Sequence, residues 1–194
     1  MKEKPYQGYT LGSRGSRFLV AIINAILVGI VTNGITQALG TSVNPMDAFD
    51  FRKLDEIQEI AKDPTNILIN AVIAVVLHAL YGYLCYPKLK GTVGHKALKL
   101  RVINADKTTL DAKQGAIREL LKAGPGVLSN IALIAGQGLQ GLIGLGALIY
   151  AIWLLWDEDK QNLYDKIAKT YVVEDKDPVI PQESTEQTPT ADTI

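Results

Sequence analysis

Four side chains stand out against otherwise apolar surroundings: Arg17, Asn24, His78 and Asp165. Arg17 and Asn24 lie seven residues apart in "RFLVAIINAILVGIVTNGITQAL". On a helix they sit about 20° apart around the axis and about 10 Å apart along it. Ala21 falls between them and leaves room for a neighbouring helix. A cation and an amide so placed are suited to holding a carboxylate and bonding a neighbour. Asp165, in "LYDKIAKTYVV", is the acid that Arg17 needs. An ionised group at the centre of a membrane helix costs about 2.5–3.5 kcal/mol and must face protein or water. An Arg17–Asp165 pair would clasp the two ends of the chain together, with Asn24 hydrogen-bonding inward to a backbone carbonyl or a facing amide. His78 is the ionisable side chain well inside "ILINAVIAVVLHALYGYLCY" and is a candidate intramembrane site. Its plainer role is a neutral imidazole bonded to a carbonyl. His95, in a basic connection, is expected at the surface.

Other chemistries lack their signatures. There is no nucleotide-binding glycine loop, no pair of histidines at metal spacing and no serine elbow. "GTVGHK" has neither the spacing nor the Lys-Ser/Thr ending of a phosphate loop. The single Cys85 cannot form an internal disulfide. No catalytic residue, cofactor or metal ligand is therefore expected, and the chain does not read as an enzyme. Its 20 basic and 20 acidic residues balance to zero, which argues against nucleic acid as a partner.

The elements that must position these residues follow from the distribution of charge. Residues 18–31, 67–87 and 123–156 contain none. A bilayer core about 30 Å thick takes about 20 apolar residues of helix. The last run, as one helix, would extend about 50 Å, so it divides into two crossings that turn at "GQG". The fold expected is an all-α membrane protein, a four-helix transmembrane bundle with spans at about 17–39, 67–86, 117–135 and 139–156. Gly138, Gly141 and Gly144 lie in or beside the turn, where they can permit a bend or a close helix approach. The polar insert 41–65 is part helical from Met46 to Lys62. Residues 91–111 suggest a short hairpin, since "ALKLRVI" alternates, "NADK" is turn-like and "TTL" resumes an extended pattern. "KIAKTYVV" can pair with "KLRVINA" to make a small sheet, and Asp111 can cap a helix running from Ala112 towards Lys122. Residues 1–16 form an arm, and the polar, proline-containing tail 174–194 is expected to be disordered.

Lysine and arginine number nine between residues 86 and 123, whereas Arg52, Lys53 and Lys62 of the 41–65 insert are outnumbered by acids. The positive-inside rule places the N-terminus and the basic connection in the cytoplasm and the insert outside. Four spans return the C-terminus to the cytoplasm.

"RFLVAIIN", "GTVGHKALKLRVI" and "LYDKIAKTYVV" together resemble the RDD family of bacterial membrane proteins, named for one arginine and two aspartates. The resemblance covers residues 15–173, and its closing motif is the most specific part. It makes Arg17 the family arginine and Asp165 the second aspartate. Asn24 occupies the position of the first, so this chain has no titrating carboxylate there. Gly94 and His95 stand where glycine and lysine are usual. The resemblance implies a multi-pass protein of the bacterial cytoplasmic membrane. Two functions are open: a noncatalytic component that docks another membrane protein, or a transporter. Cation–proton exchange, implied by the resemblance for some members, makes a monovalent cation or proton the partner under the second.

Overall fold

The computed structural model describes residues 6, 8–42, 50–176 and 178. The first long helix, α1 (Arg14–Ala38), starts where the Ser13 hydroxyl accepts the Ser16 amide at 3.0 Å. It closes on Gly40, whose positive φ of 67° lets the Gly40 and Thr41 amides return to the carbonyls of Gln37 and Thr36. A short helix, α2 (Leu54–Lys62), leads into α3 (Pro64–Leu89). Asp63 caps α3 with two amide bonds, and Pro64 occupies its first position, where a missing N–H is no loss. The expected end of this span near Pro87 moves to Leu89, because the left-handed Lys90 and not the proline terminates the helix.

After α3 come a single-turn helix, α4 (Val93–Ala97), and strand β1 (Leu100–Asn104). Helix α5 (Ala112–Ala132) is capped by Asp111 together with Gln114. The capped segment and the third apolar run are thus one helix. The chain reverses at Gly136, which has a φ of 132°, and returns as α6 (Gln137–Ile152). Helix α7 (Leu163–Ile167) and strand β2 (Thr170–Glu174) complete the fold.

The stretch expected as a hairpin is built differently. Residues 93–97 are helical, and the return over the turn is short, with the Asn104 amide bonding the Thr108 carbonyl at 2.9 Å and one antiparallel bridge from Ile103 to Thr109. The main partner of β1 is the distant β2, antiparallel, with Val102 opposite Val172. On its other side β2 bonds the N-terminal arm through the Leu11–Val173 bridge. This agrees with the expected pairing of "KLRVINA" with "KIAKTYVV". Strand β2 extends one residue into the stretch read as tail. Residues 177 and 179–194 of that tail, 1–5 and 7 of the arm, and 43–49 of the insert lie outside the described residues.

Among the described residues three helical runs are long and apolar enough to cross a membrane: Arg14–Ala38, Pro64–Ala97 and Gln137–Leu155. Their outer faces carry exposed apolar side chains, such as Ile30 at 67% and Leu142 at 71%. Contiguous apolar exposure of this extent suits lipid. The dry core is small and lies at the sheet end, where Val20 and Tyr86 pack on Leu100, Val102, Leu110 and Val172. Helices α3 and α5 meet there by backbone. A Cβ on Gly82 would come within 2.7 Å of the Gly115 carbonyl carbon, and one on Gly115 within 2.6 Å of the Tyr86 Cβ. By contrast, Gly138 and Gly141 face open space, and Gly144 would meet only the Ser129 hydroxyl at 3.3 Å.

Candidate functional site

The sheet end of the helices encloses a buried ionic cluster built around Asp165. The local sequence "NLYD" puts Asp165 at the third position of α7, where it closes a capping box with Asn162 and accepts that residue's amide at 3.1 Å. Such a box points one carboxylate oxygen at its own helix start. The carboxylate also receives two guanidinium groups. Arg17, from the first turn of α1, donates to Oδ2, and Arg118, from the second turn of α5, donates to Oδ1. The expected terminus-to-terminus clasp is present, but it has three members.

Arg118 ties the clasp to the rest of the fold. Its Nε donates to the Thr170 hydroxyl at the start of β2 at 3.2 Å, and Nη1 donates to the Tyr86 hydroxyl. The guanidinium also lies over the Tyr164 ring, 5.1 Å from its centre. Tyr86 in turn donates to Glu119 Oε1 at 2.9 Å, and Lys122 reaches Oε2 at 3.1 Å. Three cations and two carboxylates thereby join α1, α3, α5, α7 and β2. Arg118, Glu119, Tyr86 and Asp165 are almost wholly buried. Burial alone would raise the Asp165 pKa. Arg118, Arg17 and the Asn162 amide outweigh it and hold the carboxyl below its usual range, so it is ionised at neutral pH.

Sequence reasoning missed Arg118, Glu119 and Tyr86. A signal was available in "IRELLKAG": two adjacent opposite charges and a lysine one turn later, at the mouth of an apolar run. Charges at a helix entrance suit the membrane rim equally well, which hides their burial.

Asn24 forms a second, neutral node. Its amide donates to the Thr92 hydroxyl at 2.8 Å, while its Oδ1 accepts the Tyr81 hydroxyl at 2.8 Å and the Gly94 amide at 3.2 Å. The partners are thus two hydroxyls besides a facing amide, that of Gly94, one of the two kinds of partner expected. Thr92 also lies 2.7 Å from His95 Nδ1, which accepts the Thr92 amide at 3.2 Å. His95 is therefore buried, and not at the surface, because its ring completes the capping box that starts α4. The glycines of "GTVGH" make room for this arrangement. A Cβ on Gly94 would lie 2.9 Å from the Val20 carbonyl oxygen, and one on Gly91 2.9 Å from the His95 Cβ.

His78 belongs to neither group. Its Nδ1 bonds the Ala74 carbonyl at 3.0 Å, and it faces a cleft between α1, α3 and α5. Among the described residues no cluster of His, Cys, Asp and Glu has the make-up to hold a metal ion.

The RDD family model matches residues 11–169. A Bacillus subtilis (strain 168) protein, described as uncharacterized protein YxaI, is 29% identical over 164 residues, covering 81% of this chain and 93% of that protein. No solved structure matches. The matched stretch contains the whole clasp, from Arg17 through Arg118 to Asp165, and with it a set of helices fit to cross a membrane: the chain belongs to the RDD family.

Proposed function

We propose that this protein is a noncatalytic multi-pass component of the bacterial cytoplasmic membrane, in which the clasp fixes the spans to a cytoplasmic platform that docks a membrane partner. The observation that carries this reading is the mutual satisfaction of the motif residues. Arg17 and Arg118 both donate to Asp165, and Asn24 uses its oxygen twice within the protein. A cation–proton exchanger needs a carboxylate free to titrate on a path through the spans. Asn24 supplies none, and both oxygens of Asp165 are engaged.

Four crossings suit the arrangement of α5 and α6. The start of α5 lies at the clasp, and so does the end of α6, where Arg14 bonds the Leu154 carbonyl at 3.0 Å. The Tyr150 hydroxyl also bonds the Leu121 carbonyl at 3.0 Å. A helix that comes back to the clasp from the far side requires a partner that carried the chain there. Helix α5 has that role, with its charged first half in the clasp and its apolar half from Ala123 in lipid. Lysine and arginine then gather on the side of the clasp, which the positive-inside rule makes cytoplasmic, along with both termini.

The test is reconstitution. Vesicles holding the protein under sodium and pH gradients should show no more flux than empty vesicles, and a membrane protein should copurify at fixed stoichiometry. Gradient-driven sodium or proton flux above the empty-vesicle level would sink the proposal, and a reporter after Ile194 accessible only from outside would sink the four-span topology.

A further inference from the structure

Helix α1 leans on α3 and α4 at the clasp end but stands away from α5 along most of its length, leaving two clefts of about 400 and 350 Å³. They share Thr32, Asn33 and Ala74 as walls, so they run on from one another between α1, α3 and α5. The inner cleft ends at Asn24, His78 and Lys122, where the Asn24–Tyr81–Thr92 node closes off the clasp end. The outer cleft continues past Asn130 to the loop after α1. The Asn33 and Asn130 side-chain amides have no hydrogen-bond partner among the described residues, and both are exposed to the cleft. An unpaired amide facing hydrocarbon costs several kcal/mol, so a polar occupant is required.

We propose that this cleft is a water-accessible binding site for a small organic carboxylate, entered from the end opposite the clasp. The charge of the lining selects the ligand. Among the described residues neither cleft is lined by Asp or Glu, and Lys122 supplies a cation at the floor. Among the described residues one of its three N–H donors is used, by Glu119 on its own helix. The wall facing it is Ala21, Ala25 and Val28, short apolar side chains that suit a small hydrocarbon body. A carboxylate would take the ammonium and the free amides, with its tail on that wall. This site touches the ionic cluster only through Lys122 and does not depend on the docking role.

The test uses the full chain in vesicles with Cys85→Ser, so that an introduced thiol is the only one. Asn33→Cys, and in parallel Asn130→Cys in case either variant folds poorly, is exposed to two charged methanethiosulfonates. One carries a sulfonate and the other a trimethylammonium, and rates are normalised to a free thiol. The sulfonate should react several-fold faster, Lys122→Gln should remove that preference, and butyrate should slow the reaction where butyramide does not. Gly29 lines the inner cleft, and a Cβ there meets nothing within 4 Å, so Gly29→Leu should fold and abolish protection by butyrate. Failure of both reagents to react would mean a cleft filled by lipid or by a second copy. That result, faster reaction of the cationic reagent, or equal protection by butyramide would each overturn the proposal.

Discussion

Removing the Asp165 charge should unfasten the protein more than removing either arginine. In Asp165→Asn the side-chain shape persists, but Arg17 is left buried without its anion and Arg118 keeps only Glu119, 3.7 Å away. Breaking a buried pair by taking one partner costs about 3–5 kcal/mol. Arg17→Met should cost less, because Asp165 keeps Arg118 and the Asn162 amide. Reversing both charges will not restore stability, since an arginine at position 165 would stand beside Arg118. The clean measurement is therefore a double-mutant cycle on Arg17→Met and Asp165→Asn. Unfolding is followed by sodium dodecyl sulfate titration in mixed micelles, through the fluorescence of Trp153 and Trp156. Residues sharing an ionic network couple by about 0.5–3 kcal/mol, whereas independent sites add to within about 0.5 kcal/mol. Additivity at that level would refute the clasp as an energetic unit.

The same group sets an acid limit. Because the folded Asp165 pKa lies below its unfolded value, near 3.9 for a free aspartate, its contribution is complete above about pH 4 and is lost as pH falls through the folded pKa. Stability of the wild type should decline below about pH 4, with a smaller decline in Asp165→Asn. At the α3–α5 contact, Gly82→Ala should cost about 1–3 kcal/mol or prevent assembly, while Gly141→Ala should cost nothing measurable in the same titration. Asn24→Asp should destabilise by about 3 kcal/mol, because no cation bonds a buried carboxylate there, and adding His95→Lys should recover most of the loss. Lack of recovery would show that the two positions are not energetically paired.

The Arg17–Asp165 clasp was legible in the sequence because Arg17 opens an uncharged run and needs an acid, which Asp165 supplies just after the last apolar run. The β1–β2 pairing was legible for a similar reason: β-branched runs at both "KLRVINA" and "TYVV" need an edge. What did not show was anything that depends on the facing helix. Gly138, Gly141 and Gly144 look like a packing series and for the most part touch nothing, whereas Gly82 and Gly115, far apart in sequence, bring two backbones together. Residues 93–97 alternate poorly as a strand, yet their helical state rests on a cap from Thr92 and His95 that no hydrophobic period announces. Arg118 and Glu119 look like rim charges until α3 supplies Tyr86 and α7 supplies Asp165.

The two nodes solve the same problem at different depths. Arg17 sits at the first turn of α1, and Asn24 lies about 10 Å further along the helix, deeper among apolar residues. The cost of an ion rises with depth, so an ion pair is best placed near the rim and a neutral chain further in. The amide of Asn24, the hydroxyl of Thr92 and the acceptor nitrogen of His95 form such a chain, each donor meeting an acceptor with no net charge. The family resemblance gives aspartate and lysine at these two positions, which here are asparagine and histidine. The inner node can thus hold α1 against the loop after α3 without any carboxylate at position 24, and the clasp at the rim is the charged lock that remains.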